Sequence, residues 1–512
     1  MVVDSPYMTS PDHNEISVSS LDEARSYNPS LAVISQLSIN AIDRVLYQTS
    51  KRYRVSKAYR HNLTALISEL LTREDEETDS YLSIAMSRKS YRKHSRYNAV
   101  GYSATTINVA KDLERHGLIE LVTGFLDRQS GKSRRTRIRA TRPLIDLIGS
   151  DWSLSLSQIP YERSFEPIEL RNDRLRIEYV EEPDWVADSR ELLHAYNELL
   201  NRSLIDIPDL EEPKFHNLRK GKRVSHAITN RPANVHRVFA RGRWDCGGRF
   251  YGGFWQTMSN RTKYDPDTDE PLTDLKRSRL FINDEPCIER DYSALHLILL
   301  YAQRGIDYWT EYKGDPYEVP NPIYHDESRT LGKLMTLLAI NAASRQSTFS
   351  AVNNELRDIN LPPLKYDQFN AHFDQLMAKH DPIADSFFAD KGIKLQFIDS
   401  QIAEIVIREF THQDKVVLSL HDGFVTQEEN EQLLIEMMDK AFQKVTGLPK
   451  AKHKSEWMAV NEKLTRATDL MRHDRYHGLQ VIRSLGVKRS VRYENRLAHW
   501  KKIHFEKISL LK

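Results

Sequence analysis

Three short segments of the chain carry side chains that could act together on a nucleotide. Asp291 follows an apolar stretch that predicts a strand, and a predicted helix comes directly after it. Arg329 and Lys333 are four residues apart, which puts them on one face of a helix. His421 and Asp422 stand at the Asp-Gly turn of a predicted hairpin. Carboxylates suit a hard divalent cation and paired cations suit a triphosphate, so the set predicts phosphoryl chemistry.

Each segment alone has a plainer explanation. Aspartate is a common helix cap, and a solvated helix face accounts for Arg329 and Lys333. Asp-Gly is a hairpin signal in its own right, and His421 could be a packed histidine. It is the order of the three segments, together with their residue types, that favours a function.

The three segments resemble the palm and fingers motifs of family A DNA polymerases, which the phage- and mitochondrial-type single-subunit RNA polymerases share. Asp291-Tyr292-Ser293 is similar to the first motif. Upstream, residues 244–251 resemble the Asp-x-x-Gly-Arg-x-Tyr element of the RNA polymerases. Leu395-Gln396-Phe397 and a helix predicted over 400–409 resemble the segment before the last motif. The resemblance spans about 235–444, under half of the chain.

The resemblance implies an α+β, right-hand polymerase with an antiparallel palm sheet and helical fingers and thumb. It also implies two Mg²⁺ ions, with Mn²⁺ as an alternative, held by Asp291, Asp422 and the backbone carbonyl of Tyr292. Arg329 and Lys333 would hold the β- and γ-phosphates, and Lys333 is also a candidate proton donor to pyrophosphate.

The remaining implied contacts are to the incoming nucleotide and to the primer and template. His421 would lie near the primer terminus, and Arg249 would contact the backbone of the primer and template. The other implied nucleotide and nucleic-acid contacts are Tyr292, His296, Leu337, Asn341, Tyr251 and Gln396.

The chain departs from the family pattern at the positions that distinguish ribose from deoxyribose in the incoming nucleotide. His296 replaces the glutamate that helps DNA polymerases exclude a ribose 2′-hydroxyl, and Asn341-Ala342 replaces Tyr-Gly. Leu337 stands where the family has an aromatic residue one helical turn earlier, and Gly423 stands where these families have Glu or Ser. Sugar choice is therefore not inherited from the resemblance, and we hypothesise that His296 and Asn341 form a different gate.

A second pattern lies nearer the amino terminus. Residues 103–117 predict a helix, and 118–123 and 136–141 predict two strands joined by a basic loop. This order is typical of a winged helix-turn-helix, whose helix enters the major groove while Arg134, Arg135 and Arg137 bind phosphate. The alternative is a basic solvated hairpin beside an ordinary helix.

Composition narrows the possibilities further. The 512 residues carry 74 Lys and Arg against 72 Asp and Glu, so the net charge of +2 excludes a uniformly basic coat protein. The positive charge is concentrated from Arg88 to Arg142 and from Leu448 to Lys512. Two cysteines, Cys246 and Cys287, exclude a disulfide framework and a zinc site of several thiolates. We expect a reducing, cytoplasmic compartment of a bacterial or phage-infected cell, without a secretory signal or membrane partner.

We predict five segments along the chain. They are a mobile tail (1–30), a winged-helix-like DNA-binding domain (31–142), a helical connector (143–213), a polymerase palm and fingers core (214–447) and a basic segment (448–512). The last segment, which includes Arg472, Arg475, Tyr476 and Arg483, either binds template or packs on the palm as helices.

These features favour a compact DNA polymerase that lacks proofreading, because no exonuclease domain is visible upstream. Its partners would be a DNA template and primer and nucleoside triphosphates, with RNA as a further possibility. A fused DNA-binding domain suits the replication of a phage, plasmid or mobile element. A single-subunit RNA polymerase or primase is the alternative, and a non-catalytic DNA-binding replication initiator is a second one.

Overall fold

The structure is a computed structural model. It describes residues 25–26, 37–50, 55–76, 81–91, 95–129, 133–149, 163–173, 175–219, 222–228, 235–258, 277–312, 314–324, 327–358, 361–456 and 488–510. The predicted tail lies outside the described residues, except for the strand at Arg25–Ser26. Four residues of the predicted basic segment also lie outside them: Arg472, Arg475, Tyr476 and Arg483.

The predicted mixture of helices and strands is confirmed, and the chain forms two compact units. Unit 1 comprises residues 1–166, 214–232 and 263–272, and unit 2 comprises residues 167–213, 233–262 and 273–512. The predicted connector therefore divides between the units, and the start of the predicted core belongs to unit 1.

Unit 1 combines short strands with helices. Its helices are α1 (Ile39–Ser50), α2 (Lys57–Glu76), α3 (Thr105–Arg115) and α4 (Arg142–Ile148). Its strands are β1 (Arg25–Ser26), β2 (Leu82–Ile84), β3 (Ile119–Val122), β4 (Phe125–Leu126), β5 (Ser133–Arg134), β6 (Thr136–Ala140), β10 (Lys214–Arg219) and β11 (Lys222–Ala227). A single 3₁₀ turn, Arg88–Ser90, precedes α3 in the described part of this unit.

The core of unit 1 lies between its helices and a sheet of order β1-β2-β6-β3. The apolar spacing of α2 turns Leu66 and Leu70 inward, and the apolar face of α3 adds Val109 and Leu113. Gly117, in a left-handed conformation, follows the end of α3. The predicted helix and both predicted strands are thus confirmed, each shorter than expected by one or two residues at its ends.

Unit 2 contains the remaining elements. Its helices are α5 (Asp184–Arg202), α6 (Leu295–Ala302), α7 (Tyr308–Glu311), α8 (Ser328–Asn341), α9 (Arg345–Asp358), α10 (Tyr366–Lys379), α11 (Gly392–His412), α12 (Glu431–Thr446) and α13 (Val491–Leu510). Its strands are β7 (Ile168–Asn172), β8 (Leu175–Arg176), β9 (Ile205–Asp206), β12 (His236–Phe239), β13 (Gly247–Tyr251), β14 (Phe281–Ile282), β15 (Glu285–Tyr292), β16 (Val417–Ser419), β17 (Gly423–Gln427) and β18 (His453–Glu456).

The main sheet of unit 2 has the order β16-β17-β15-β14-β9, and β18 also pairs with β15. All of these pairings are antiparallel. The predicted hairpin around Asp422 is confirmed as β16 and β17, whose Leu418 and Phe424 are fully buried. The carbonyl of Ser419 accepts hydrogen bonds from Trp255 Nε1 (3.1 Å) and Gln256 Nε2 (3.1 Å), so side chains cover this edge of the sheet.

A second sheet, of order β13-β12-β7-β8, packs against α11. Gly248 of β13 has a positive φ of 81°, and a Cβ there would approach Ser400 Oγ of α11 to 2.8 Å. Glycine therefore permits the strand and the helix to meet closely. The helix predicted over 400–409 is longer than expected and includes Leu395-Gln396-Phe397.

The described part of the basic carboxy-terminal segment packs on unit 2. Arg496 of α13 donates from Nε to Asp206 Oδ2 (2.7 Å), whose side chain is 2% exposed. Tyr493 is fully buried, and its hydroxyl donates to Asp284 Oδ1 (2.8 Å). For α13, the structure thus favours the packing alternative over template binding.

Two further properties concern membrane crossing and the cysteines. In the part of the chain that the structure describes, no helix combines the length and apolarity that membrane crossing requires. Cys246 and Cys287 are both buried and free.

Candidate active site

The pairing of β15 with β17 brings the two predicted catalytic aspartates together. Asp291 lies directly opposite Gly423, and Asp422 immediately precedes that glycine. The backbone amide of Tyr292 donates to the carbonyl of Asp422 (3.0 Å), which fixes the turn against the end of β15. Two acids that are 131 positions apart in the sequence thereby occupy one end of the main sheet.

Gly423 makes room for the carboxylate of Asp291. The position that a Cβ of residue 423 would occupy is taken by Asp291 Oδ1. A larger residue would have to displace the acid, which gives a physical reason for glycine where the resemblance leads one to expect Glu or Ser. The preceding His421 has a positive φ of 73°, a conformation that costs energy for a residue other than glycine.

A network of three side chains, of which Asp399 is fully buried and Arg249 and His296 are partly buried, lies beside these acids. Arg249 of β13 donates from Nε to Asp399 Oδ2 (3.0 Å), and His296 Nε2 lies 2.7 Å from the same oxygen. Arg249 also lies 2.9 Å from His296 through one of its terminal nitrogens. The side chain of Asp399 is fully buried. Burial alone would lower the pKa of Arg249, but the hydrogen bond and charge of Asp399 and the charge of Asp422 raise it.

His421 contacts this region through its ring. The rings of Tyr251 and His421 meet edge to face with centroids 5.1 Å apart. Burial lowers the pKa of His421, and the charge of Arg249 lowers it further, against the opposing effect of Asp399 and Asp422. His421 is therefore expected to be neutral at pH 7. Its Nδ1 is buried without a hydrogen-bond partner among the described residues.

A group of cations occupies another part of the site. Arg329 of α8 donates from Nε to Asp315 Oδ2 (2.7 Å) and lies over the ring of Tyr317. Lys333 is exposed one turn further along the same helix. Lys454 of β18 lies opposite Asp291 in register. Burial lowers the pKa of Lys454, as do the charges of Arg329 and Lys333, so these cations lie close enough to repel one another.

The other residues predicted to contact nucleotide have varied positions. The hydroxyl of Tyr292 donates to the carbonyl of Met438 (2.6 Å), so the phenol is committed to the core. Leu337 is half-buried on α8. Asn341, at the end of that helix, is exposed and donates to the carbonyl of Leu337 (2.7 Å). Gln396 is half-buried on α11, three residues before Asp399.

The chemistry of the donor set fits magnesium. Mg²⁺ is commonly held by one or two carboxylates together with substrate phosphates and water, and the structure places two acidic residues, Asp291 and Asp422, at one end of the main sheet. The space left by Gly423 accommodates one of them. No cluster of three or more His, Cys, Asp or Glu side chains suited to a metal occurs within the described residues.

The chain matches no protein-family model and no curated protein.

In unit 1, the three predicted phosphate contacts lie on and beside the short hairpin. Arg134 lies over the ring of Phe125 with 5.4 Å between the guanidinium carbon and the ring centroid. Arg135 is exposed, and Arg137 is half-buried on β6. Residues 130–132 of the predicted basic loop lie outside the described residues.

Several residues of the site are not predicted by any motif in the sequence. Asp399 lies within a helix, where no local pattern distinguishes it from other polar residues, and its pairing with Arg249 is visible only in the structure. Tertiary packing brings four further residues to the site: Trp309, Asp315, Lys452 and Lys454. The sequence feature that points to Lys452 and Lys454 is the basic composition of the carboxy-terminal region.

Proposed function

We propose that the protein is a template-directed nucleotidyltransferase, and more specifically a compact DNA polymerase without proofreading. One observation carries the proposal: Asp291 lies on β15 and Asp422 in the turn that begins its partner strand β17, and a group of cations that includes Arg329, Lys333 and Lys454 lies beside them. Carboxylates next to cations are what phosphoryl transfer needs, because that reaction depends mainly on positioning and charge stabilisation.

In this proposal Asp291 and Asp422 hold Mg²⁺. When bound, the metal lowers the pKa of the attacking 3′-hydroxyl and neutralises charge on the leaving pyrophosphate. Arg329 and Lys333 bind the β- and γ-phosphates, and Asp315 keeps the guanidinium of Arg329 in place through its 2.7 Å hydrogen bond. Tyr292 supports the site from the core through its bond to Met438.

Arg249 has a more limited role than the resemblance suggests. Its side chain is 17% exposed, and its guanidinium is paired with Asp399. It therefore orients His296 and shapes the floor of the site, and any contact with the primer or template uses the small exposed part of the Arg249 side chain. His421 and Tyr251, in ring contact, form a surface for the primer terminus.

Unit 1 serves as a DNA-binding domain of the winged-helix type in this proposal. Support comes from α3, followed by the antiparallel β3 and β6 in a sheet of order β2-β6-β3, with Arg134 and Arg135 on the connecting hairpin. Such a unit would position the catalytic unit at chosen sites on a phage, plasmid or mobile element.

One observation favours RNA synthesis, by an RNA polymerase or primase, as a second candidate. From the resemblance, a glutamate is expected next to the sugar of the incoming nucleotide, and His296 stands in its place. Its Nε2 lies within hydrogen-bond distance of Asp399 and Arg249. The site thus lacks the carboxylate that the resemblance associates with exclusion of a 2′-hydroxyl.

A single assay separates the candidates. The protein is incubated with Mg²⁺, primed or unprimed DNA template, and either deoxyribonucleotides or ribonucleotides. Extension of the primer with deoxyribonucleotides supports the DNA polymerase, and ribonucleotide products support the second candidate. DNA binding without any product under all conditions would contradict both and leave a non-catalytic replication initiator.

A further inference from the structure

A cavity of about 370 Å³ adjoins the end of β15, a size within the range of small-molecule sites. It begins two residues after Asp291, at Ser293, and its wall includes Lys454, which lies opposite Asp291 in the sheet. The cavity is lined by Ser293, Ala294, Trp309, Tyr312, Gly314, Asp315, Pro316, Arg329, Lys452 and Lys454.

The lining is positively charged. Its cations are Arg329, Lys452 and Lys454, and its one acid is Asp315, which is already bonded to Arg329 at 2.7 Å. Asp291 lies outside the lining, and its charge also acts on Lys454. The ammonium of Lys452 lies 4.8 Å from the ring centroid of Trp309. Neither lysine forms an ion pair within the described part of the chain. Cations that repel one another with one acid between them favour an anion in the cavity.

Two hydrogen-bond donors in the lining also lack acceptors. Ser293 Oγ and Trp309 Nε1 are buried and have no partner among the described residues. A buried donor without an acceptor has lost its hydrogen bonds to water without replacing them, so such groups call for an explanation. Ala294, between Asp291 and α6, has a positive φ of 56°, and strained backbone of this kind clusters at functional sites.

An oxyanion with several acceptor oxygens fits both features. Phosphate oxygens accept from hydroxyl and indole donors, and a diphosphate also carries enough negative charge for three cations. Arg329 belongs to the motifs of the resemblance, whereas Lys452 and Lys454 lie beyond its limit at about residue 444. The two lysines therefore need their own assignment.

We propose that the cavity binds inorganic pyrophosphate, with Lys452 and Lys454 as its specific cations and with Ser293 and Trp309 as neutral donors. When a nucleotide is incorporated near Asp291, at the end of β15, the cavity would accept the pyrophosphate that is formed from its β- and γ-phosphates. This assignment rests on the proposed function, because a nucleotidyltransferase is the source of the pyrophosphate.

The test is direct binding of inorganic pyrophosphate to the full chain, measured by titration calorimetry without nucleic acid. Lys452→Gln with Lys454→Gln should weaken binding about tenfold or more, and Lys452→Arg with Lys454→Arg should restore most of it. Lys450→Gln, an exposed lysine of the same segment that does not line the cavity, is the matched control and should bind as the wild type does. Equal affinity in the double Gln variant, with an unchanged melting temperature, would overturn the proposal.

Primer extension separates this inference from the proposed function. If the chain extends primers, the double Gln variant should show weaker inhibition by added pyrophosphate and a raised KM for nucleotide. Primer extension with unchanged inhibition would contradict the role of the two lysines and leave the proposed polymerase function intact. Lysine-dependent pyrophosphate binding without any primer extension would support the binding site and contradict the polymerase function.

Discussion

Asp291 and Gly423 face each other on β15 and β17, and the carboxylate of Asp291 fills the space that a side chain at position 423 would need. The acid and the glycine are therefore a matched pair, and the missing side chain is what lets Asp291 lie next to Asp422. This relationship explains a departure from the family pattern that the sequence alone left unexplained.

Gly423→Ala should impair catalysis more than folding. The added methyl group collides with Asp291 Oδ1 and must displace it. We expect nucleotide incorporation to fall about tenfold or more, since a carboxylate displaced by about 1 Å loses its positioning. Single-turnover incorporation and thermal unfolding together measure the effect.

Gly447→Ala is the control for that substitution. Gly447 caps α12 with a positive φ of 76°, and no atom lies within 4 Å of an added Cβ. Strain should cost about 1 kcal/mol of unfolding free energy while leaving incorporation unchanged. Equal incorporation by Gly423→Ala and Gly447→Ala would mean that Asp291 moves freely.

The parts of the site that the sequence predicted are those encoded locally. Apolar runs and a turn signal predict a hairpin carrying His421 and Asp422 and a strand ending at Asp291. Both elements are present, and the strand continues one residue further, to Tyr292. That Arg329 and Lys333 share a helix also follows from their spacing alone. Such features depend on a few neighbouring residues, so a single sequence contains them.

The missed parts depend on long-range packing. Asp399 reads as one polar residue in an amphipathic helix, and only the close approach of α11 to Gly248 brings it to Arg249. Lys454 is one basic residue among many until β18 pairs with β15. No local pattern specifies which strands of a sheet will be neighbours, so these residues could not be assigned in advance.

Asp399→Asn tests the buried network. The substitution keeps the size of the side chain but removes the charge that compensates Arg249 and holds His296. Loss of a charged hydrogen bond worth roughly 1.5 to 3 kcal/mol predicts an incorporation rate about 10- to 100-fold lower. Asp390→Asn, which breaks an exposed pair with Arg241, should leave the rate unchanged. A normal rate for Asp399→Asn would show that the network is only structural.

Arg496→Met tests whether α13 is a structural element. Asp206 is nearly fully buried and pairs with Arg496, so removing the cation should cost roughly 3 kcal/mol of unfolding free energy. Arg492→Gln breaks an exposed pair with Glu212 and should cost less than about 1 kcal/mol. Denaturant unfolding measures both. If Arg496→Met instead weakened DNA binding without loss of stability, the packing role would be wrong.

His372 and His380 predict a loss of stability in acid. Burial lowers the pKa of each from 6.5 to about 4. The unfolded chain therefore binds protons that the folded chain does not, and stability falls as the pH decreases from about 6.5 towards 4. Unfolding free energy measured across this range should show the slope. A flat profile over this interval would contradict the assignment of neutral, buried imidazoles.

Substituting each histidine separates charge from hydrogen bonding. His372 has no partner for either ring nitrogen among the described residues, so His372→Leu should preserve or raise stability at pH 7. His380 bonds Tyr301 and the carbonyl of Pro316, each at 2.9 Å, so His380→Leu should lower it. Both variants should reduce the acid slope. Equal loss of stability at pH 7 would show that the imidazole bonds contribute little.

The most direct test of the account is single-turnover nucleotide incorporation by Asp291→Asn, Asp422→Asn and the double variant, each with template binding measured in parallel. Since the two acids act on one centre, each single substitution should abolish incorporation almost as completely as the double one, with template binding retained. Incorporation at the wild-type rate by either single variant would contradict the proposal that Asp291 and Asp422 form the catalytic centre.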